Sequence, residues 1–321
     1  MANINYSQQS SESIISLKRD PSRPREIFNK VMTVLSGACI GITLIPLFAV
    51  LIYVFIKGSS RLNLDLFTKL PPAAGQTSGG IGNAILGTIM VVAIASLIAV
   101  PFGVLAAVYL SEFSDEDTAR PIRFATNVLS GVPSIIAGVF AYSLLVLSMG
   151  KFSAFAGGVA LSVLMLPTIV RTTDEALQIV PRDIRWASVG VGASNYQTVL
   201  QIVLPAALPG IITGITLAIA RAAGETAPLL FTVVYSNNWP RAISIKWVSL
   251  VPFLDFLKVP LPSFDFLFAP TVPSLAYLVY EFARSFDVVL QEFAWAGSLV
   301  LVLLVLVTSI FSRWATSQKK F

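Results

Sequence analysis

The chain has 321 residues, of which 55% are hydrophobic and only 12% are charged, and its mean hydropathy is +0.78. No soluble domain of this length needs so much apolar surface, so the composition predicts an all-α polytopic membrane protein. The chain has no histidine and one cysteine, Cys39, which excludes a disulfide framework and makes a metal site unexpected. The net charge of +5 comes without a basic run interleaved with aromatic residues, so no nucleic-acid partner is expected.

Intervals without charged residues locate the predicted membrane spans, because one span needs about 20 apolar residues. A polar tail, residues 1–30, precedes a first span over 31–57 and a loop over 58–80. Residues 81–316 hold five more spans, and 317–321 form the C-terminus. These five spans are predicted over residues 83–110, 124–150, 152–170, 205–235 and 293–312.

The distribution of lysine and arginine predicts the orientation of the six spans. With both termini inside, the cytoplasmic segments hold 13 of these residues and the outer segments hold 8, while Arg221 lies within a span. Both termini are therefore predicted to be cytoplasmic, together with the loop at about 171–205. The loop at about 236–290, rich in Trp, Phe and Pro, is predicted to be extracytoplasmic.

Two charges interrupt the fifth predicted span, in the stretch "ARAAGETAPLLF" at 220–231. Each costs about 2.5–3.5 kcal/mol at the centre of a bilayer. Arg221 and Glu225 are spaced i,i+4 and are expected to share a helix face. They either neutralise each other and do nothing more, or Arg221 offers its guanidinium to an anionic substrate while Glu225 holds it in the absence of substrate. Arginine before glutamate is the poorer order for a helical pair, which favours the second explanation.

The segment between the fourth and fifth predicted spans carries a spaced motif. From Trp186 it reads W-A-S-x3-G, then nine residues, then I-x-L-P. This resembles the cytoplasmic coupling loop of ABC importer permeases, E-A-A-x3-G-x9-I-x-L-P. In such a loop a short helix turns sharply, here at Gly190 and Gly192, and presents a second short helix to a partner. Pro205 is expected to begin the next membrane helix, and residues 172–175 to begin the loop helix.

The resemblance implies that this loop couples the chain to a separate ATPase. The position of the usual glutamate holds Trp186, so a salt bridge from that glutamate is absent or is supplied by Arg185 or Asp183. The expected coupling residues are Arg182, Asp183, Arg185, Trp186, Ala187, Ser188, Gly190, Gly192, Ile202, Leu204 and Pro205.

Three further stretches resemble the PstA permease subunits of phosphate ABC transporters: "SGVPSIIAGVF" at 130–140, "LPTIVRTTDEAL" at 166–177 and "RAAGETAPLLF" at 221–231. The third is similar to PstA rather than to the partner permease PstC, whose equivalent tends to read GETMAV. The resemblance covers about residues 81–316. It implies the type I ABC importer permease fold, with Arg221, Glu225 and Arg171 along the route of an oxyanion. For Arg171, at the inner end of the fourth span, simple snorkelling is nearly as good an explanation.

The resemblance also implies partners: a homologous permease PstC, an ATPase dimer PstB, an extracytoplasmic phosphate-binding protein PstS, and the lipid of a bacterial inner membrane. The sequence has no G-x4-G-K-[S/T] stretch, so ATP and Mg are expected on the ATPase, with no cofactor on this chain and no enzyme activity of its own. Three alternatives remain: a permease for sulfate or molybdate, a stand-alone channel, and a membrane-embedded enzyme, against which the lack of histidine speaks.

Small residues in "GVLAA" and "SGVPSIIAG" are interpreted as close-packing faces of membrane helices. Pro133, Pro167 and Pro209 are expected to kink or begin helices.

Overall fold

A computed structural model describes residues 24–73, 75–233, 235–240, 244–249, 258–263 and 272–317. Most of the predicted tail over 1–30, the end of the chain after 317 and much of the loop over 236–290 lie outside the described residues.

Helices make up most of the described residues. In order they are α1 (Pro24–Ser59), α2 (Leu64–Thr68), α3 (Gly82–Val108), α4 (Glu116–Ser130), α5 (Ser134–Ala141), α6 (Leu147–Met149), α7 (Ala154–Gln178), α8 (Arg182–Gly190), α9 (Asn195–Thr198), α10 (Leu204–Gly224), α11 (Leu229–Thr232), α12 (Leu275–Ala283) and α13 (Val288–Ser317). Three π-helical turns, Tyr109–Phe113, Tyr142–Val146 and Val199–Val203, directly continue α3, α5 and α9.

Five stretches of helix in the described residues are long and apolar enough to cross a membrane: α1, α3 with its π-turn, α7, the continuous helix from Asn195 to Gly224, and most of α13. One more span, the third in chain order, is a broken one that consists of α4 and the continuous stretch α5–α6. The two parts are bent by 98° at the break between Ser130 and Ser134. Pro133 precedes α5, and a proline both lacks an N–H and disfavours helix in the residue before it. The prediction of six spans is confirmed when this bent pair counts as one, but the third span is not the single straight helix over 124–150.

The part of α1 from Pro24 to Tyr53 forms a unit of its own. It is one unbroken helix, and its side chains are exposed along almost the whole length. Such a helix needs lipid or another apolar surface around it. The whole of α1 begins at Pro24 and ends at Ser59, so this helix exceeds the predicted span of 31–57 at both ends.

The remaining spans pack through small residues. A Cβ on Gly103 of α3 would lie 2.8 Å from Cγ2 of Ile169 on α7, and Gly214 of α10 lies directly against Thr172 of α7. Lipid tails give helices no hydrophobic reason to associate, so close backbone approach through small residues supplies the contact instead. The interpretation of "GVLAA" as a packing face is confirmed.

The described parts of the segment over 236–290 contain regular secondary structure as well as loop. They include two antiparallel strands, β1 (Ser244–Ser249) and β2 (Lys258–Ser263), and the helix α12. The N–H of Leu275 donates to the Thr88 hydroxyl at 2.7 Å, which fixes the start of α12 against α3. The carboxylate of Asp287 accepts from the N–H of Val289 at 2.9 Å, so α13 begins at Val288 rather than near 293.

Candidate functional site

The coupling-loop motif folds as a tight helix–turn–helix. α8 begins after Pro181 and ends at Gly190, and Gly192 follows with a φ of +94°. Residues with a side chain rarely adopt that conformation, so the turn requires glycine there. Gly190 is still helical and has open space around it, so only one of the two glycines predicted to make the turn is needed for it.

The second helix of the motif runs straight into the membrane span. Ser194 begins α9 with a capping box, in which its hydroxyl accepts from the N–H of Gln197 and its own N–H donates to the Gln197 side chain. The π-turn over 199–203 then joins α9 to α10, and the N–H of Leu204 bonds to the carbonyl of Val199. Pro205 is the second residue of α10, as expected for the start of the membrane helix, and the π-turn makes α10 continuous with α9.

One face of the α8–α9 unit is open. The exposed fractions are 66% for Trp186, 87% for Val191 and 64% for Tyr196. Arg182 and Asp183 are exposed on the first turn of α8. The expected coupling residues that are exposed on the protein surface are Arg182, Asp183, Trp186, Ala187, Gly190, Gly192 and Pro205.

The other expected coupling residues lie on the inner side. The hydroxyls of Ser188 and Thr198 are buried and 2.8 Å apart, which ties α8 to α9. Ile202 is half-buried, and Leu204 packs against a core cluster that includes Leu177. Ser188 is therefore buried away from any partner, whereas Ile202 and Leu204 keep part of their surface exposed.

Arg185 also points inward. Its Nη1 pairs with the carboxylate of Glu112, and its Nη2 donates to the carbonyl of Leu177 at 2.8 Å. The side chain of Glu112 is 5% exposed and that of Arg185 is 23% exposed. Arg185 is thus engaged inside the protein and does not replace the missing glutamate as a surface charge, which leaves Asp183 as the exposed candidate.

A second internal pair, missed in the sequence, joins α4 to α7. Arg123 forms a two-pronged contact with Asp174, at 2.9 Å from Nε and 3.1 Å from Nη2, and Nη2 also donates to the carbonyl of Leu110 at 3.3 Å. Asp174 lies within α7, which continues to Gln178, so the expectation that residues 172–175 begin the loop helix is wrong. The partners are 51 positions apart, and no local spacing could reveal them.

A polar cleft of about 380 Å³ opens between α4 and α7 beside this pair. Arg171 lies on its wall and pairs with Glu175 at 2.9 Å, with both side chains 59% exposed. The cleft is lined by Arg123, Thr126, Asn127, Val170, Arg171, Asp174, Glu175 and Gln178. Two arginines and two carboxylates thus face one water-accessible space, and Arg171 is accessible within it.

Arg221 lies in the last turn of α10, and the helix ends at Gly224. The Nε of Arg221 is 3.4 Å from the carboxylate of Glu225, whose backbone is extended. The prediction of one helix from Pro205 to Tyr235 is therefore wrong, although the ion pair it suggested is present. Gly224 is a poor helix former and Pro228 cannot continue a helix, a break that hydropathy does not register. A cation in the last turn is also favoured by the helix dipole.

The residues that follow the end of α10 pack against the other helices of the bundle. A Cβ on Gly138 of α5 would lie 2.6 Å from Cα of Pro228, so the two backbones are in close contact. The carbonyl of Thr232 accepts from the N–H of Ser153 at 3.2 Å, just before α7. Two of the stretches singled out in the sequence, 130–140 and 221–231, therefore pack on each other.

Arg171 and Arg221 do not form one site. Thr172 lies opposite Gly214, and Arg221 is seven residues further along α10, which is about 10 Å of helix rise. Arg221 does not line the cleft that contains Arg171. The two arginines occupy separate levels of the bundle.

Residues 99–318 match the protein family described as binding-protein-dependent transport system inner membrane component. A phosphate transport system permease protein PstA from Haemophilus influenzae is 37% identical over 297 residues, which are 92% of this chain and 96% of that protein. The PstA protein from Yersinia pestis is 32% identical over 293 residues, which are 91% of each chain.

Solved structures share the fold. A chain of a bacterial alginate ABC transporter superposes with a TM-score of 0.57 at 12% identity, covering 91% of this chain and 96% of that one. A chain of the inward-facing MetNI methionine ABC transporter superposes with a TM-score of 0.52 at 19% identity, covering 75% of this chain and 98% of that one. At these identities the likeness shows the type I ABC importer permease fold. Together with the sequence matches, it places this chain in the family of binding-protein-dependent transport system inner membrane components, among the PstA permeases.

Proposed function

We propose that this chain is the permease subunit of an ATP-driven importer of inorganic phosphate and forms half of its translocation pathway. The observation that carries the proposal is the match to phosphate transport permeases at 37% identity over 92% of the chain. A permease of this family works with an ATPase and a binding protein, and the finer assignment concerns which ones and which residues meet them.

Arg221 is the residue that we assign to the passing anion. Its side chain is 52% exposed, it lies at a break in a membrane helix, and its partner Glu225 is on extended backbone. A guanidinium fits two phosphate oxygens at once, and Glu225 can hold it when no phosphate is present. We assign Arg171, which lines the polar cleft, to a second contact with the anion at a different depth in the helix bundle.

The outer face of α8 and the following turn are the surface that we assign to the ATPase. Trp186 stands where the family motif has glutamate, and it is 66% exposed. A short helix that presents an aromatic anchor fits the helix-in-groove mode of recognition, in which a buried tryptophan contributes much of the binding energy. Asp183 and Arg182, on the same open side, supply charge at the rim.

The remaining assignments follow from the same role. The second half of the pathway is a homologous permease of the PstC kind, the ATPase dimer is of the PstB kind, and the phosphate donor is a binding protein of the PstS kind. ATP and Mg bind to the ATPase, and this chain carries no cofactor and no nucleotide site of its own. The chain lies in a bacterial inner membrane with both termini and the α8–α9 unit on the cytoplasmic side.

Purification of the assembled complex tests this proposal. The chain is expressed with its neighbouring permease and ATPase, and the ATPase is tagged. We expect this chain to co-purify, and ATP hydrolysis to rise when phosphate-loaded binding protein is added. Stimulation by sulfate- or molybdate-loaded binding protein instead would assign another oxyanion. Anion flux without ATPase binding would mean a stand-alone channel, and chemical conversion of a substrate would mean an enzyme.

A further inference from the structure

The π-helical turn at the end of α3, residues 109–113, is joined to its neighbours by two arginines. Arg123 of α4 donates to the carbonyl of Leu110, and Arg185 of α8 pairs with Glu112. Arg185 donates in addition to the carbonyl of Leu177 at the end of α7. The ends of α3 and α7 and the helix α8 therefore meet at the side chain of Arg185.

α8 and α3 are not consecutive in the sequence. Between the π-turn and Arg182 the chain passes through α4, α5, α6 and α7. α8 is attached to α7 by residues 179–181, and the Ser188–Thr198 hydroxyl pair attaches it to α9. The ion pair of Arg185 and Glu112 is thus a direct, charged connection from α8 to the end of α3.

This connection is more buried than stability alone would favour. The Glu112 side chain is 5% exposed and receives a second hydrogen bond from the Ser111 hydroxyl at 3.1 Å. The Nε of Arg185 is buried without a hydrogen-bond partner among the described protein atoms. Burying two charges and leaving a donor unmatched is costly, and an apolar pair of similar volume would often be at least as stable.

The place of the pair in the helix is also unusual. In the π-turn the N–H of Ser114 reaches back to the carbonyl of Tyr109, so the helix widens by one residue just where Glu112 lies. π-Helical turns are rare in proteins, and this one forms the C-terminal end of the α3 span. Arg185 of α8 forms its ion pair with α3 at this widened turn.

We propose that Arg185 and Glu112 are positioning residues that transmit movement of the docked α8 to the membrane helices α3 and α7. Trp186 faces outward and is 66% exposed, whereas Arg185, the preceding residue, is held inside. The same turn of α8 thus presents Trp186 to the proposed ATPase and pairs through Arg185 with Glu112 at the end of α3. The inference rests on the proposed docking of α8, and it adds the path by which docking reaches the pore.

The test uses the whole complex in proteoliposomes, with the variants Glu112→Gln, Arg185→Gln and both together. We expect each to assemble and to keep basal ATP hydrolysis. Stimulation by the loaded binding protein should fall by about two- to thirtyfold, the range that coupling mutations span. The double variant should be no worse than either single one, because both remove the same connection. Arg120→Gln, an exposed arginine on α4, is the matched control and should leave stimulation unchanged.

A role in packing alone gives another result. Fewer complexes would assemble, but each assembled complex would respond normally to the binding protein, and that would overturn the proposal. If the glutamine variants fail to assemble, Arg185→Lys and Glu112→Asp decide the question: they keep the charges and change the geometry, and normal stimulation per complex in both would equally overturn it. Failure of the unaltered chain to bind the ATPase would instead overturn the proposed docking.

Discussion

The guanidinium of Arg221 lies 3.4 Å from the carboxylate of Glu225, across the C-terminal end of α10. This distance is at the long limit for a hydrogen bond. Glu225 stands on extended backbone, so it can move away from the arginine without unwinding a helical turn. The proposed release of Arg221 to a passing anion requires a contact that can open in this way.

The Arg221 variants separate these two roles. Arg221→Gln should lower phosphate uptake by about ten- to a hundredfold with assembly intact, because hydrogen bonds to charged groups are worth about 1.5–3 kcal/mol. Arg221→Lys should be partial, since a point charge attracts phosphate without two-pronged geometry. Glu225→Gln should still admit phosphate but leak or couple poorly. Uptake of labelled phosphate in cells that lack their own phosphate importer measures all three.

The double variant Arg221→Gln/Glu225→Gln is the control for this series. If the two residues only neutralise each other, removing both leaves no unpaired charge and transport should recover. Recovery would refute the assignment of Arg221 to the anion, whereas continued loss with normal membrane assembly supports it.

Gly192 should be sensitive to backbone strain and not to size. At a φ of +94° a residue with a side chain is strained, by about 1–2 kcal/mol if the cost is that of other left-handed conformations, while no atom lies within 4 Å of the position of a Cβ. Substitution by asparagine should be tolerated best, alanine less and valine least, because asparagine adopts positive φ more readily. The readout is substrate-stimulated ATP hydrolysis, with insertion of each variant checked by membrane fractionation. Normal stimulation in Gly192→Val would remove the coupling role from this turn.

Gly138 should not accept a side chain. A Cβ there would meet Cα of Pro228 at 2.6 Å, and the resulting overpacking should cost about 1–3 kcal/mol. Gly138→Ala should therefore lower the thermal unfolding midpoint of the purified complex. Gly131→Ala is the comparison, because its nearest neighbour is at an ordinary 3.4 Å and its φ is negative. Equal midpoints for the two variants would show that α5 and the break after α10 are not in contact.

Two adjacent carboxylates of α7 should contribute very differently to stability. Asp174→Asn breaks a pair in which the side chains are 10% and 29% exposed, and the loss should be about 3 kcal/mol. Glu175→Gln breaks the pair with Arg171, in which both are 59% exposed, and should cost less than about 1 kcal/mol. Denaturation of the two variants in the same detergent checks the difference, and a larger loss for Glu175→Gln would contradict the geometry.

Local spacing was enough to predict the elements that a short stretch encodes. The six spans follow from charge-free intervals, and the α8–α9 unit from the spacing of Trp186, Gly192, Ile202 and Pro205. The Arg221–Glu225 pair also followed from spacing, since four residues bring the side chains together whether or not the helix continues.

The features that could not be predicted depend on contacts between distant segments. The buried carboxylates that pair with Arg123 and Arg185, Asp174 and Glu112, are 51 and 73 positions away, so no local spacing predicts these ion pairs. The end of α10 at Gly224 was missed because the residues after it are as apolar as a span. It is the packing of Pro228 on Gly138 that holds the chain in this break.

Uptake of labelled phosphate by the reconstituted complex decides whether this chain is part of an ATP-driven phosphate importer. Proteoliposomes that contain this chain, its partner permease and the ATPase receive phosphate-loaded binding protein outside and ATP at the ATPase side. We predict accumulation that requires ATP and binding protein, persists in excess sulfate and molybdate, and falls by about ten- to a hundredfold with Arg221→Gln. Accumulation without ATP, or accumulation of sulfate or molybdate in preference to phosphate, would show that the chain is not part of such an importer.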